Sequence, residues 1–290
     1  MADMTATTMA TYLPEVWSRL ASVTYRSNVV LPDLMDRRWE PEIGVGRGDT
    51  VNIPNFTQNN SANKRGTFGT GAAITFDAVT ESQTQLAINQ LAYKAFRMPV
   101  EMSAQAMSTY VPMLTDGIGQ AIALTVDSEL AGDDTNGIDS FTTTAGTDNV
   151  DVTDDDVLEA ETNLGNANAP LQSRYMVVSP ATRASLMKID VYRNSLYGGA
   201  VGNLPGDKGA GFIGNVYSLG VYESNNLEAG AAGKKNGVFQ TEAIAYAAQK
   251  ELTMLNDMNI EDGMFNQVAG YMVYGFIKVK DNFGTELDGK

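Results

Sequence analysis

The stretch RYMVVSPATRASLMKI (174–189), with its continuation SLYGGAVGNLPGDKGAGFIGNVYS (195–218), decides the fold. Tyr175-Met176-Val177-Val178 is a short, uninterrupted apolar run of the kind that forms a strand covered on both faces. Ser179 follows with a hydroxyl that can accept from the free amides of a helix start. Pro180 suits the first helical position, because the donor it lacks would be orphaned there anyway. A helix over Ala181–Ile189 is therefore expected. Gly198, Gly199, Gly202, Gly206, Gly209 and Gly211, with Pro205 among them, exclude a regular element and predict a long exposed tip. A strand resumes at Gly211 and runs through Gly214, Val216 and Ser218 to Ser224-Asn225-Asn226-Leu227. Nowhere in this stretch is there a place for chemistry.

Working outward, Gly132–Asp151 is acidic, threonine-rich and poor in apolar residues, so it reads as a connector. Thr153-Asp154-Asp155-Asp156 then precedes Val157, Leu158, Ala160 and Leu164, a helix closing at Gly165. Upstream of the connector, Met98-Pro99 opens a long helical region reaching about Leu130, with Pro112 breaking or bending its first half. After that proline, Leu114, Ile118, Ile122, Val126 and Leu130 recur every four residues with Ala121 beside them, which makes one face apolar.

Glu40–Arg97 has the character of strand and loop. Val51 and Ile53 alternate with polar residues before Pro54, and Ile74, Phe76 and Ala78 do the same beyond a polar stretch, Gln58–Gly71, which predicts a long two-stranded hairpin. Its tip offers no aliphatic anchor, and an isolated two-stranded ribbon is marginal in water. Leu86 and Ile88 continue on one face of a third strand, while Leu91, Tyr93 and Ala95 fall in the opposite phase, implying a bulge or strong twist. At the amino-terminal end, Val16, Leu20 and Val23 recur near helical spacing after Leu13-Pro14-Glu15, and Leu31-Pro32-Asp33 restarts a short helix ending near Arg38. Two such helices cannot bury their own apolar faces, so their partner is the rest of the chain or a neighbouring subunit. At the other end, Ile244 and Tyr246 alternate within Gly237–Ala248, and Tyr271–Lys280 is apolar on both faces, as a central strand would be. No repeat of fixed period is present.

Composition narrows the function. A chain of 290 residues can bury about 75% of its unfolded surface, enough for one large domain or two interleaved ones. Cysteine is absent, which excludes disulfides and thiolate chemistry; histidine is absent too, which removes the commonest general base and metal ligand. No unperturbed side chain then changes charge between about pH 6 and 8. The net charge of −15 argues against sequence-independent binding of nucleic acid. No segment approaches the ~20 consecutive apolar residues that span a bilayer, and the first residues carry no signal-peptide pattern. A soluble product made in the cytoplasm is expected.

Valines 177 and 178 with Ser179 and Pro180, the short helix, the glycine-rich loop and then Gly211, Gly214, Val216 and Ser218 resemble the axial domain of tailed-phage major capsid proteins. These share the Hong Kong 97-like shell fold, and the order of parts resembles it along nearly the whole chain. The resemblance implies an α+β subunit with an N-terminal arm at 1–40, an extended hairpin loop at 41–85, a peripheral domain at 86–135 and 250–290 built on a long spine helix, and an axial domain at 136–249. It implies self-assembly as hexamers and pentamers into an icosahedral shell enclosing double-stranded DNA, without sequence-specific DNA binding and without a membrane. The glycine-rich tip would meet its symmetry mates at the capsomer axis, and the arm and hairpin would clasp adjacent subunits. A portal, a separately encoded scaffolding protein and a possible decoration protein are the expected partners. The scaffold follows from the lack of a long helical segment before the arm, and Met1 argues against trimming. The rival readings are an encapsulin-type cargo compartment, which a protein-filled particle would favour, and a soluble enzyme with a carboxylate mechanism, which a monomer or dimer would favour.

Features that could be read as chemistry have plainer readings. Gly44, Gly46 and Gly48 lead into a strand instead of following one and opening a helix, as a phosphate cradle requires. Arg47-Gly48-Asp49 spells an adhesion tripeptide short enough to arise by chance. Asp148, Asp151, Asp154, Asp155 and Asp156 could offer calcium its oxygen ligands, but they lack the glycine and terminal glutamate of a helix-loop-helix site, and the helix start explains much of the cluster. Glu101, Asp116, Asp127 and Glu129 lie on a helix with no nucleophile beside them, as solvated faces or subunit salt bridges. Lys64 stands near the hairpin tip, where some shells of the resembling family crosslink a lysine to a neighbour's asparagine. No catalytic, cofactor or metal residue is assigned.

Overall fold

The computed structural model describes residues 29–43, 48–57, 76, 80–99, 110–189, 212–230, 233–259 and 264–290. The helical pattern of Val16, Leu20 and Val23, the hairpin tip with Lys64, the strand positions Ile74 and Ala78, Glu101 and the glycine-rich tip Gly198–Gly211 lie outside these residues.

Alternation along one strand organises the main sheet. β5 (Arg174–Val178) sits inside a six-stranded sheet, parallel to β7 (Leu219–Glu223) on one side and antiparallel to β8 (Lys234–Gln240) on the other. Met176 and Val178 point into one apolar cluster and Val177 into another, and all three are fully buried. That is the two-faced burial the apolar run predicts. β4 (Thr144–Gly146), β11 (Gly284–Gly289) and β6 (Phe212–Val216) complete the order β4-β11-β8-β5-β7-β6. The stretch expected as one strand from 211 to 227 contains a hairpin over 212–223: β6 turns through Tyr217, at φ +51°, and pairs antiparallel with β7.

Two capped helices flank this sheet. α3 (Asp154–Asn166) starts on a reciprocal capping box in which the Thr153 hydroxyl accepts from the Asp156 amide and the Asp156 carboxylate accepts from the Thr153 amide. Its Val157, Ala160 and Leu164 enter the cluster containing Met176 and Val178. α4 (Pro180–Leu186) begins on Ser179, whose side chain accepts from the Thr182 amide. It ends short of the expected Ile189, where Lys188 and Ile189 close tighter turns onto Ser185 and Leu186. The connector before α3 is less of a linker than its composition suggests, because Ile138 and Phe141 are core residues and β4 pairs with β11.

The second body is a three-stranded antiparallel sheet in the order β3-β10-β9, formed by β3 (Gln90–Pro99), β9 (Ile244–Asn259) and β10 (Phe265–Lys278). α2 (Tyr110–Gly132) lies across it and buries Ile118, Ile122, Val126 and Leu130, the four-residue stripe read in the sequence. The helix comes so close that a methyl at Gly270 would collide with the Ile118 side chain and stand 3.3 Å from Ile122 Cδ1. Met98 and Pro99 do not start this helix; they end β3, an edge strand that tolerates a residue without an amide proton. Pro112 falls in the first described turn of α2.

The third unit is a separate two-stranded ribbon, β1 (Thr50–Thr57) with β2 (Thr80–Ala87). The ribbon is as expected but its partner strand is not: Val51 faces Leu86 and Ile53 faces Thr84, while Phe76 stands 91% exposed outside any strand. The phase change between Ile88 and Leu91 is thus no bulge. It marks the chain leaving the ribbon for the three-stranded sheet through Ile88 and Asn89.

Candidate assembly surfaces

Three features of this subunit bear on assembly: the root of the ribbon, the seat of the amino-terminal segment and one uncovered sheet face. At the root, Ile43, Ile53, Leu86 and Ile88 pack against Ala245 and Ala247 of β9. The Ile88 amide donates to the Asp49 carbonyl at 2.7 Å, and Gln249 Nε2 donates to the Gly48 carbonyl at 2.8 Å. Farther out, Glu81, Ser82 and Gln83 are exposed.

The amino-terminal segment is seated by a buried carboxylate. α1 (Leu31–Leu34) has no side-chain cap of its own. Asp127, fully buried on α2, accepts instead from the Val30 and Leu31 amides at 2.9 and 2.8 Å. Its other oxygen accepts from Asn226 Nδ2 at 2.6 Å and the Ser224 hydroxyl at 3.3 Å. A single residue thereby joins α1, the long helix and the loop leaving β7. This corrects the reading of Asp127 as a solvated or salt-bridged position, since every donor here is uncharged. Ala131, buried four residues further on, is the one apolar hint in the sequence that this helix face is also enclosed. Beyond α1, Asp36 exchanges hydrogen bonds with the β9 backbone at Ile244 and Tyr246. Arg37 bonds Glu40 and lies 5.7 Å above the Tyr246 ring, whose hydroxyl burial pushes up to about 12. Glu129 is likewise engaged, accepting from the Tyr274 hydroxyl.

The uncovered face lies on the side of the three-stranded sheet away from α2. Leu91, Tyr93 and Leu255 project there by strand alternation, at 58, 72 and 53% exposure. Lys250 and Arg97 share this side of the sheet, over the Tyr271 and Phe265 rings.

The charged residues form pairs and caps and do not converge on a reactive centre. Of the acidic cluster, Asp151 bonds Lys188 at 2.7 Å, which holds its carboxyl down at about 2; Asp154 accepts from the Tyr217 hydroxyl, and Asp156 is spent on the helix cap. Among the described residues no group of three carboxylates is disposed to hold a metal ion. Asp116 lies on α2, away from any such group. Asp139 has the least ordinary environment. It is 7% exposed, neither oxygen accepts a hydrogen bond, and burial pushes its carboxyl up to about 6. Lys235 opposes that rise and Asp134 adds to it, while Lys235 itself pairs with Glu286 at 3.2 Å. Sequence gave no sign of Asp139, which sits in the polar stretch taken for a linker.

Comparison with known proteins identifies the class that this architecture defines. A profile of phage capsid proteins matches residues 64–284. Among curated protein sequences nothing matches. In solved structures the fold recurs in a chain of Mycobacterium phage Che8, with TM-score 0.72 and 22% identity over 95% of this chain and 97% of that one. It recurs in the capsid of cyanophage P-SCSP1u, with TM-score 0.71 and 16% identity over 98% and 94%, and in the mature capsid of bacteriophage PhiM1, with TM-score 0.69 and 11% identity over 96% and 92%. The chain belongs to the phage capsid protein family, with the Hong Kong 97-like fold, and is a capsid subunit of the virion.

Proposed function

We propose that this chain is the repeating subunit of an icosahedral shell, assembling as hexamers and pentamers around the double-stranded DNA of a tailed phage. The observation that carries this reading is the β1–β2 ribbon, a two-stranded sheet of its own that, among the described residues, packs on the body at its root. Such a ribbon is marginal without a partner, and a neighbouring subunit would supply one. The uncovered face bearing Leu91, Tyr93 and Leu255 is the surface we assign to that neighbour. The six-stranded sheet would form the axial domain, joined by 284–289, with the glycine-rich tip at the capsomer axis. α2 and the three-stranded sheet would form the peripheral domain. The role is structural, not catalytic; the charge of −15 suits a wall that encloses DNA without adhering to it. Synthesis in the host cytoplasm, a scaffolding protein, a portal and a decoration protein belong to the same proposal. Replacing residues 58–71 by a short turn tests it: folded subunits that no longer close into uniform particles are expected, and uniform particles would contradict the clasp.

A further inference from the structure

A groove of about 720 Å³ runs along α2 where the helix meets β9, lined by Asp116, Gly119, Gln120 and Ala123 of α2 and by Leu252 and Met254 of β9. Gly119 brings the two elements together, since a methyl there would stand 3.3 Å from Leu252 Cδ2. Leu252 stays 43% exposed although it faces the helix. Asp116, Gln120 and Ala123 share one stripe of α2 with Asp127, at successive spacings of four, three and four residues. The groove therefore continues the line on which Asp127 seats Val30 and Leu31. The chain also heads toward it. β9 and α2 run antiparallel, because Tyr274, opposite Ala248, bonds Glu129, whereas Leu252 and Met254 lie at Gly119. Asp36 is bonded to Ile244 and Tyr246, near the carboxyl end of α2, and Val30 lies back at Asp127. Traced from 36 to 30, the segment advances toward the amino end of α2, and the groove is the next stretch of the same stripe.

We propose that residues 13–28 of this chain dock in the groove, with Val16, Leu20 and Val23 turned onto Leu252, Met254 and Ala123. These three recur at helical spacing, so they form one apolar stripe. Val16 to Val23 spans seven positions, as does Asp116 to Ala123, about 10 Å of helix in either case. Val23, nearer the seat at Asp127, meets the Ala123 end and Val16 the Asp116 end. Charge agrees with this pairing. Residues 13–28 carry Arg19 and Arg26 against Glu15, whereas α2 carries Asp116, Asp127 and Glu129 and neither lysine nor arginine.

The test uses the full chain as unassembled subunits. It contains no cysteine, so two introduced ones can pair only with each other. Leu252→Cys is combined in turn with Val16→Cys, Leu20→Cys and Val23→Cys, and as a control with Ser18→Cys, which helical spacing places on the opposite side. Bridges are formed by mild oxidation and located by peptide mass spectrometry. At least one of the three pairs is expected to bridge within the chain, at a yield roughly tenfold above the Ser18 control, because a disulfide needs Cα atoms within about 7 Å. A second readout needs no cysteine. Leu252→Asp, at a half-exposed position, should speed tryptic cleavage after Arg19 and Arg26 about tenfold while the melting temperature of the body stays unchanged. No bridge in any pair, an equal yield from the Ser18 control, or unchanged cleavage in Leu252→Asp each overturns the docking. Bridges between copies, seen as dimers on non-reducing gels, overturn its intrachain form and give the groove to a second copy. Failure here leaves the shell reading standing; that reading fails separately, through uniform particles formed without residues 58–71.

Discussion

Two buried carboxylates, Asp127 and Asp139, show how environment decides what one side chain does. Asp127 receives four donors from three segments, so truncating it strands the two amides at the start of α1 as well as Ser224 and Asn226. Unsatisfied buried groups cost about 1–3 kcal/mol each, partly relieved by relaxation. Asp127→Ala should therefore cost about 3–5 kcal/mol in denaturant unfolding of the subunit, and Asp127→Asn, which keeps one good acceptor, distinctly less. A loss below about 1 kcal/mol would mean that the carboxylate is not what seats α1. Asp139 has no donor at all, and its folded-state value near 6 lies above the ordinary carboxylate range. The fold favours its neutral form. That contribution is fully present below about pH 4 and is lost as pH rises through about 6. Asp151, held down at about 2 by Lys188, behaves oppositely: its contribution is present above about pH 4 and lost as pH falls toward 2. Subunit melting temperature should thus decline between about pH 4 and just above pH 6 even without histidine, and Asp139→Asn should flatten that decline. An unchanged slope in the variant would place the titrating group elsewhere.

At the scale of elements, α1 belongs to the core, with Leu31 and Leu34 buried against α2. Deleting residues 1–28 should leave a cooperatively melting subunit that cannot build regular shells, whereas deleting 1–38 should also destabilise the subunit, because Asp127 then loses its α1 donors. Calorimetry and negative-stain microscopy of the two truncations separate these outcomes; regular particles from the shorter truncation would remove the arm from assembly. Elements whose determinants are local were legible in the sequence: the Thr153–Asp156 capping box, the Ser179-Pro180 helix start, the two-faced strand at 174–178 and the four-residue stripe of α2. Elements defined by remote partners were not. β1 pairs with Thr80–Ala87, which is nearly all polar as TESQTQLA and shows no apolar alternation of the kind at Ile74–Ala78; packing of Leu86 at the root against Ala245 and Ala247 selects it. β11, polar in sequence as GTELDG, is a strand because β4 and β8 flank it. The seat at Asp127 joins residues nearly a hundred positions apart, a separation at which no sequence pattern operates.

For the whole molecule, two sheets, a spanning helix and a ribbon that is incomplete alone make a subunit with much of its binding surface turned outward. On the proposed assembly, marginal parts would become stable when copies close on one another, so the fold's completion and the shell's assembly would be one process. The measurement that tests this most directly is cryo-electron microscopy of the purified full-length chain, expressed with a scaffolding protein if closure requires it. Closed particles of megadalton mass, built from 31.1 kDa subunits with the ribbon of each ordered against its neighbour, are the predicted result. A monodisperse monomer or dimer under every condition that permits shell closure would contradict it.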